Sequence, residues 1–317
     1  MSIATARGLG LSELPDIGPA AVCMGAFDGV HLGHQALLSA TQRAAADAVA
    51  ASVALVFDPH PDEVVKPGRR VSRLTPLAAT LRRVLAGGMT HALPIRFDDE
   101  LRQLPAEDFL AAMAPQIVLR GLVMTLESAF GRGRGGTVER MRDHGRATGF
   151  EVVVVEPVLD GEGPISSTRL RAAVAAGDLA TVRRLGQPAY LEGTVVEGDH
   201  RGRLLGYPTA NLAFDYQPAM PARGIYTGRV AVTERGVGPG HPALVSIGVR
   251  PTFHEGGQVL VEVHLLDYDG DLYGALLQLE LLDRLRDERR FEGVDELVAQ
   301  MHRDEADARR LLGVGNR

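Results

Sequence analysis

The chemistry-bearing residues cluster in a few short strings. The first is Gly25-Ala26-Phe27-Asp28-Gly29-Val30-His31-Leu32-Gly33-His34. Glycines at 25, 29 and 33 let the backbone approach a phosphate closely. The helix that the string opens would aim unpaired amides and its positive dipole end at that phosphate. His31 and His34 are three apart, so one helical turn brings both imidazoles to one side, where they suit charge stabilisation on a phosphorus under attack. The plain alternative is a pair of capping or metal-binding histidines, and the strand, glycine and helix context favours the phosphate. Far downstream stands Ile165-Ser166-Ser167-Thr168-Arg169-Leu170-Arg171. Ser167 or Thr168 can cap the next helix, and with Arg171 these groups would hold the β- and γ-phosphates of a nucleotide. Taken alone, that string also reads as an N-cap beside a solvated arginine.

The other strings lie in the second half. Gly198-Asp199-His200-Arg201-Gly202-Arg203-Leu204-Leu205-Gly206-Tyr207-Pro208-Thr209-Ala210-Asn211-Leu212 has glycines every fourth residue, a loop able to wrap a nucleotide. Thr209 and Asn211 are hard oxygen donors. Two apart on a strand, they face one side and can reach one Mg2+ bridging phosphates. The competing reading is a glycine-rich barrel hairpin. In Leu260-Val261-Glu262-Val263-His264-Leu265-Leu266, alternation puts Leu260, Glu262 and His264 on one face. Glu262 then reads as a ligand or a base, or as an exposed carboxylate on an edge strand.

Two kinds of element must position these residues. In the first half, strands are expected at Ala20–Met24, Val53–Phe57, His91–Ile95, Ile117–Val123 and Glu151–Val155. Helices are expected at Leu32–Ala50, Pro76–Leu85, Glu107–Met113, Val138–Ala147 and Thr168–Ala176. Such alternation implies a parallel sheet covered on both faces. Its ligands belong at the carboxyl ends of the strands, where the first string sits. From Ala189 to Leu285 glycine and proline rise and the strands shorten. Leu191–Val196, Ile225–Val232, Ala243–Ile247, Val259–Leu266 and Leu276–Leu282 suit a small antiparallel barrel. An amphipathic helix over Val294–Leu312 closes the chain. The boundary is expected at Leu185–Ala189, giving domains 1–186 and 187–317.

Composition narrows the function classes. Acidic residues exceed basic ones, 40 to 34, for a net charge of −6, which argues against nucleic acid as the main partner. The single cysteine, Cys23, excludes an intramolecular disulfide and a thiolate zinc cluster. No apolar run reaches membrane-spanning length, and Met1–Gly18 lacks the pattern of a signal peptide. A cytoplasmic setting is expected. The sequence leaves the oligomeric state open.

H-x-G-H paired with S-S-T-x-x-R makes the first half similar to the nucleotidyltransferase superfamily. Phe57-Asp58-Pro59-His60-Pro61 resembles the F-x-P-H-P string of its flavin-adenylating branch. Tyr190–Leu312 resembles riboflavin kinase through Gly206-Tyr207-Pro208-Thr209-Ala210-Asn211, Gly224-Ile225-Tyr226, Gly248-Val249-Arg250-Pro251-Thr252-Phe253, Val261-Glu262-Val263-His264, Asp271-Leu272-Tyr273-Gly274 and Leu285-Arg286-Asp287-Glu288 with Phe291. The whole resembles the bacterial bifunctional riboflavin kinase/FAD synthetase family. That resemblance implies an α/β plus β architecture: a Rossmann-like nucleotidyltransferase domain, then a riboflavin kinase barrel with a C-terminal helix. It implies riboflavin, FMN and ATP as small-molecule substrates, FAD as product and Mg2+ as cofactor. His31 and His34 would be catalytic in adenylylation, with Gly25, Phe27, Asp28, Gly33, Ser166, Ser167, Thr168 and Arg171 on ATP. Pro59, His60, Pro61, Glu127 and Phe130 would meet the flavin. In the kinase, Gly198, Gly202, Gly206, Pro208, Thr209 and Asn211 would hold Mg–ATP, Glu262 would be the base, and Arg286 would line the flavin side.

One string departs from the family's G-x-[DN]-F-x-F-G. Thr125-Leu126-Glu127-Ser128-Ala129-Phe130-Gly131 has Ser128 for the first aromatic and Glu127 at the polar position. Losing an aromatic removes stacking area worth about 1 kcal/mol, and an inward carboxylate would repel the FMN phosphate. Two alternatives follow: a riboflavin kinase whose first domain is degenerate or serves another acceptor, and, more remotely, a flavin-binding regulator without turnover.

Overall fold

The computed structural model describes residues 8–66, 68–198, 206–249 and 259–315. By contacts the chain divides into two compact units. One comprises Met1–Val71 with Pro76–Ser167, the other Ser72–Thr75 with Thr168–Arg317.

The first unit is a parallel sheet of order β3-β2-β1-β4-β5. Its strands are β1 (Gly18–Gly25), β2 (Ala51–Asp58), β3 (His91–Arg96), β4 (Ile117–Thr125) and β5 (Glu151–Val155). Val22, Val53, Leu55 and Leu122 are fully buried, as strands covered on both faces require. Each face has its own core. Leu37 and Leu38 of α1 (Leu32–Asp47), with Leu81 and Val84 of α3 (Leu77–Ala86), pack with Cys23, Ala54 and Val56. On the opposite face Phe109, Leu110 and Met113 of α5 (Ala106–Met113) and Met141 of α6 (Val138–Thr148) pack with Val22, Leu55 and Leu122. The short helices α2 (Pro61–Val65) and α4 (Asp99–Gln103) follow β2 and β3. Helix α1 stops before the expected Ala50. The Ala50 amide donates back to Ala45 O at 2.8 Å while Val49 takes a left-handed φ of 49°. A valine there carries none of the glycine signal that usually marks such a stop. A two-stranded hairpin, β6 (Leu159–Asp160) and β7 (Gly163–Pro164), follows β5.

In the second unit α7 (Ser167–Ala176) and α8 (Leu179–Arg184) precede a closed barrel of order β10-β11-β12-β9-β8-β13. The strands are β8 (Ala189–Val196), β9 (Ala210–Ala213), β10 (Gly224–Val232), β11 (Val237–Val249), β12 (Val259–Leu265) and β13 (Leu276–Arg286). Closure removes exposed sheet edges. Strand β11 begins earlier than expected, because Val237 pairs with Val232 across a stretch whose Gly238, Pro239 and Gly240 conceal a strand in the sequence. The C-terminal helix α9 (Val294–Leu312) is where its periodicity placed it.

Candidate functional sites

The loop from β1 to α1 is backbone held under strain. Phe27 has φ 49°, Gly29 83° and Val30 39°. A β-branched residue in the left-handed region costs on the order of 1–3 kcal/mol and persists only where its surroundings fix it. Phe27 is fully buried and Val30 nearly so, and Gln35 Nε2 donates to Val30 O at 3.0 Å. His31 is extended and caps α1, its Nδ1 accepting from the His34 amide at 3.4 Å. That role leaves Nε2 to carry the ring proton. The two imidazoles stack at 3.7 Å and 22°, and Phe27 tilts against His34 at 5.2 Å. The structure thus brings the histidine pair together as the spacing required. At Gly33, a Cβ would stand 3.1 Å from the His31 ring and 3.4 Å from Ile165 O, so glycine is what admits both. Ser167 Oγ donates to Asp28 O at 2.8 Å, which joins the serine string to this loop. Thr168 and Arg171 fall in the second unit, where Arg171 Nε donates to Ser72 O at 2.8 Å. Cys23, just before the loop, is no nucleophile, since burial pushes its thiol pKa up to about 12.

Beside Gly25 and Ala26 opens a cavity of about 670 Å³ at the carboxyl ends of β1, β2 and β4. Its walls are apolar and aromatic: Met24, Phe57, Phe97, Leu101, Phe109, Met124 and Phe130. Phe57 meets Phe97 edge-on at 5.3 Å, and Phe109 meets Phe130 at 5.6 Å. A slot with these walls suits a flat heteroaromatic ring. Pro61, Glu127 and Phe130 of the expected flavin set line it, whereas His60 caps α2, its Nδ1 accepting from the Asp62 amide at 3.2 Å. Ser128 closes a turn. Its Oγ lies 2.6 Å from Thr125 Oγ1, its amide donates to Thr125 O at 3.0 Å, and Arg134 donates to Glu127 O at 3.0 Å. Phe57 opens the F-x-P-H-P string, whereas Phe97, Phe109 and Arg102 were not singled out from the sequence. Scattered phenylalanines carry the same signal there as any core residue.

In the barrel, register does the positioning. Glu262 on β12 pairs with Asn211 on β9 and with Ser246 on β11. Directly paired residues face the same side, and Val261, Val263 and Leu265 are buried on the other. Glu262 and Asn211 therefore share the outer face, a cross-strand register that alternation within each strand leaves open. Asn211 is buried against Gly198, where a Cβ would fall 2.1 Å from its Nδ2. A cavity of about 520 Å³ is lined by Gly198, Pro208, Thr209, Asn211 and the 268–273 loop. Gly206 has a left-handed φ of 83°, and Gly202 lies outside the described residues.

Helix α9 braces this site from two places. Buried Tyr207 lies with its hydroxyl 2.8 Å from His302 Nδ1, and its own ring meets His264, whose Nδ1 is 2.8 Å from Pro208 O. Burial and the neighbouring Glu305 push the Tyr207 phenol up, so it stays protonated. Arg309 donates to both Asp267 oxygens, at 2.7 and 3.0 Å, and to Glu305 at 2.8 Å. Those carboxylates raise its pKa further, and the pair anchors the start of the 268–273 loop. Arg286 is committed to Asp304 through three contacts of 2.7–3.1 Å, with Gln300 completing the carboxylate at 2.7 Å. Among the described residues no group of histidine, cysteine, aspartate and glutamate could hold a metal ion, and no helix is long and apolar enough to cross a membrane.

The comparisons with known proteins divide along the same lines. Residues 15–169 match the family model for FAD synthetase, and residues 185–312 the model for riboflavin kinase. The chain is 36% identical over 312 residues to the bifunctional riboflavin kinase/FMN adenylyltransferase of Escherichia coli K12, covering 97% of each chain. It is 31% identical over 298 residues to that of Bacillus subtilis, covering 92% of each. Among solved structures, a Streptococcus pneumoniae chain described as a macrolide-efflux protein superposes with a TM-score of 0.82 at 32% identity, over 93% of this chain and 96% of that one.

Proposed function

The chain belongs to the bifunctional riboflavin kinase/FMN adenylyltransferase family, carrying a domain for each activity, and on that premise we propose which residues perform each step. In the kinase, assigned to residues 187–317, Glu262 accepts the proton of the riboflavin 5′-hydroxyl. The hydroxyl oxygen bonds to the γ-phosphorus of ATP, the bridging oxygen leaves with ADP, and FMN forms. The observation that carries this assignment is the backbone pairing of Glu262 with Asn211, which itself lines the cavity together with Thr209 and Gly198. The Thr209 hydroxyl and the Asn211 amide oxygen are hard oxygen donors, and they fit Mg2+, which takes few protein ligands beside phosphates and water. When bound, the ion would neutralise charge on the phosphates.

In the adenylyltransferase, assigned to residues 1–186, an FMN phosphate oxygen bonds to the α-phosphorus of ATP and pyrophosphate leaves. His31 and His34 offer stacked imidazoles to the charge that builds on that phosphorus. Gly25, Phe27, Asp28, Gly33, Ser166 and Ser167 bring ATP to the strained loop. The cavity beside Gly25 takes the isoalloxazine ring, and its four phenylalanines supply the aromatic surface that Ser128 lacks. The protein works in the cytoplasm on small molecules.

A time course tests the reading. Incubated with riboflavin, ATP and Mg2+, the purified protein is expected to form FMN and then FAD, separated by chromatography. FMN that never proceeds to FAD would defeat the adenylylation half, and no conversion would defeat both.

A further inference from the structure

The aromatic cavity contains one basic group whose bonding is incomplete. Arg102, on α4, lines the cavity beside Leu101. Its Nη2 is held by Asp99 at 3.0 Å, and 36% of the side chain stays exposed. Its Nε, by contrast, is buried and has no hydrogen-bond partner among the described residues. A buried donor left unpaired is costly, and more so on a charged group. An arginine presents its donors in a fixed planar fork, which a lysine cannot reproduce.

We propose that Arg102 is an acceptor-binding residue of the adenylyl-transfer site, donating from Nε to an oxygen or nitrogen on the edge of the isoalloxazine ring. The inference rests on the reading of this cavity as the flavin site. The ring edge is favoured over the phosphate by the two faces of the sheet. His31, Phe27 and α1 lie on the face with α3, where the reacting phosphorus belongs. Leu101, Phe109 and Phe130 pack on the opposite face, so Arg102 stands on the aromatic side. The pyrimidine end of a flavin carries carbonyl oxygens and ring nitrogens that are good acceptors. A largely apolar slot edged by a guanidinium fork selects such a ring over an aromatic of similar size without acceptors.

The test compares Arg102→Leu and Arg102→Lys with wild type in the full-length protein, following FAD formation from supplied FMN. Both variants are expected to raise KM for FMN roughly tenfold or more with kcat within about threefold, since a charge-assisted hydrogen bond to the bound ring is lost in ground and transition states alike. Lysine keeps the charge but not the fork, so its failure to rescue points to Nε. Asp99→Ala, which removes the exposed partner only, is expected to leave KM within about threefold. An unshifted thermal transition of the first unit and a near wild-type kcat report that the variants are folded, and phosphorylation of riboflavin should not change. Unchanged KM in Arg102→Leu would overturn the inference, as would an equal rise in Asp99→Ala, which would assign the effect to the packing of α4. If wild type itself forms no FAD from FMN, the reading of the cavity fails first.

Discussion

The two sites handle the same nucleotide and related flavins by opposite constructions. In the first unit, the groups proposed for catalysis are neighbours in sequence, and a strained turn aims them: His31 and His34 stack beside Val30 and Phe27, which a buried core locks at left-handed φ. In the barrel nothing comparable is needed. Glu262 and Asn211 come from strands some fifty residues apart and meet because hydrogen-bond register makes them opposite. Its precision depends instead on remote bracing through α9, where Arg286 and Arg309 clamp carboxylates. A local strained turn is damaged by changes within it, whereas a registered site is damaged through its braces.

Substitutions can separate these modes. The largest effect is expected from Glu262→Gln, which keeps shape and removes the proposed base. FMN formation should fall on the order of a thousandfold or more, while FAD formation from supplied FMN is unchanged. Asp304→Ala leaves the partly buried Arg286 guanidinium without its carboxylate. A loss of about 1–3 kcal/mol in barrel stability is expected, seen by calorimetry as a lowered transition, and an unshifted transition would refute the bracing role. His31→Ala should lower FAD formation by roughly 100- to 1000-fold and spare the kinase. In Gly198→Ala the added methyl displaces Asn211, and KM for ATP in the kinase step should rise by roughly 10- to 100-fold. At the small end, iodoacetamide at pH 8 should leave both activities intact. With its pKa pushed to about 12, only about one Cys23 thiol in 10,000 is ionised there.

Much of this was legible in the sequence, for a physical reason in each case. The histidine pair follows from helical spacing, and the alternation that turns Glu262 outward while burying Val261 and Val263 follows from the two-residue period of a strand, although its register against Asn211 does not. The cavity walls were legible only where a family string runs through them, at Phe57, Pro61, Glu127 and Phe130. Phe97 and Phe109 come from separate elements, and an aromatic facing a slot has the same local pattern as one facing the core. The commitment of Arg286 to Asp304 was equally hidden, because only the docking of α9 on β13 brings them together. Ser128 reads as a loss against the family string, yet its hydroxyl closes the turn to Thr125, which a residue-by-residue comparison cannot reveal.

The central claim is that two independent sites act in sequence, and complementation tests it most directly. Given riboflavin, ATP and Mg2+, Glu262→Gln alone should make neither product, and His31→Ala alone should accumulate FMN. Mixed, they should form FAD, as the kinase of one variant supplies the adenylyltransferase of the other. FAD made from riboflavin by Glu262→Gln alone, or no FMN from His31→Ala alone, would contradict the account.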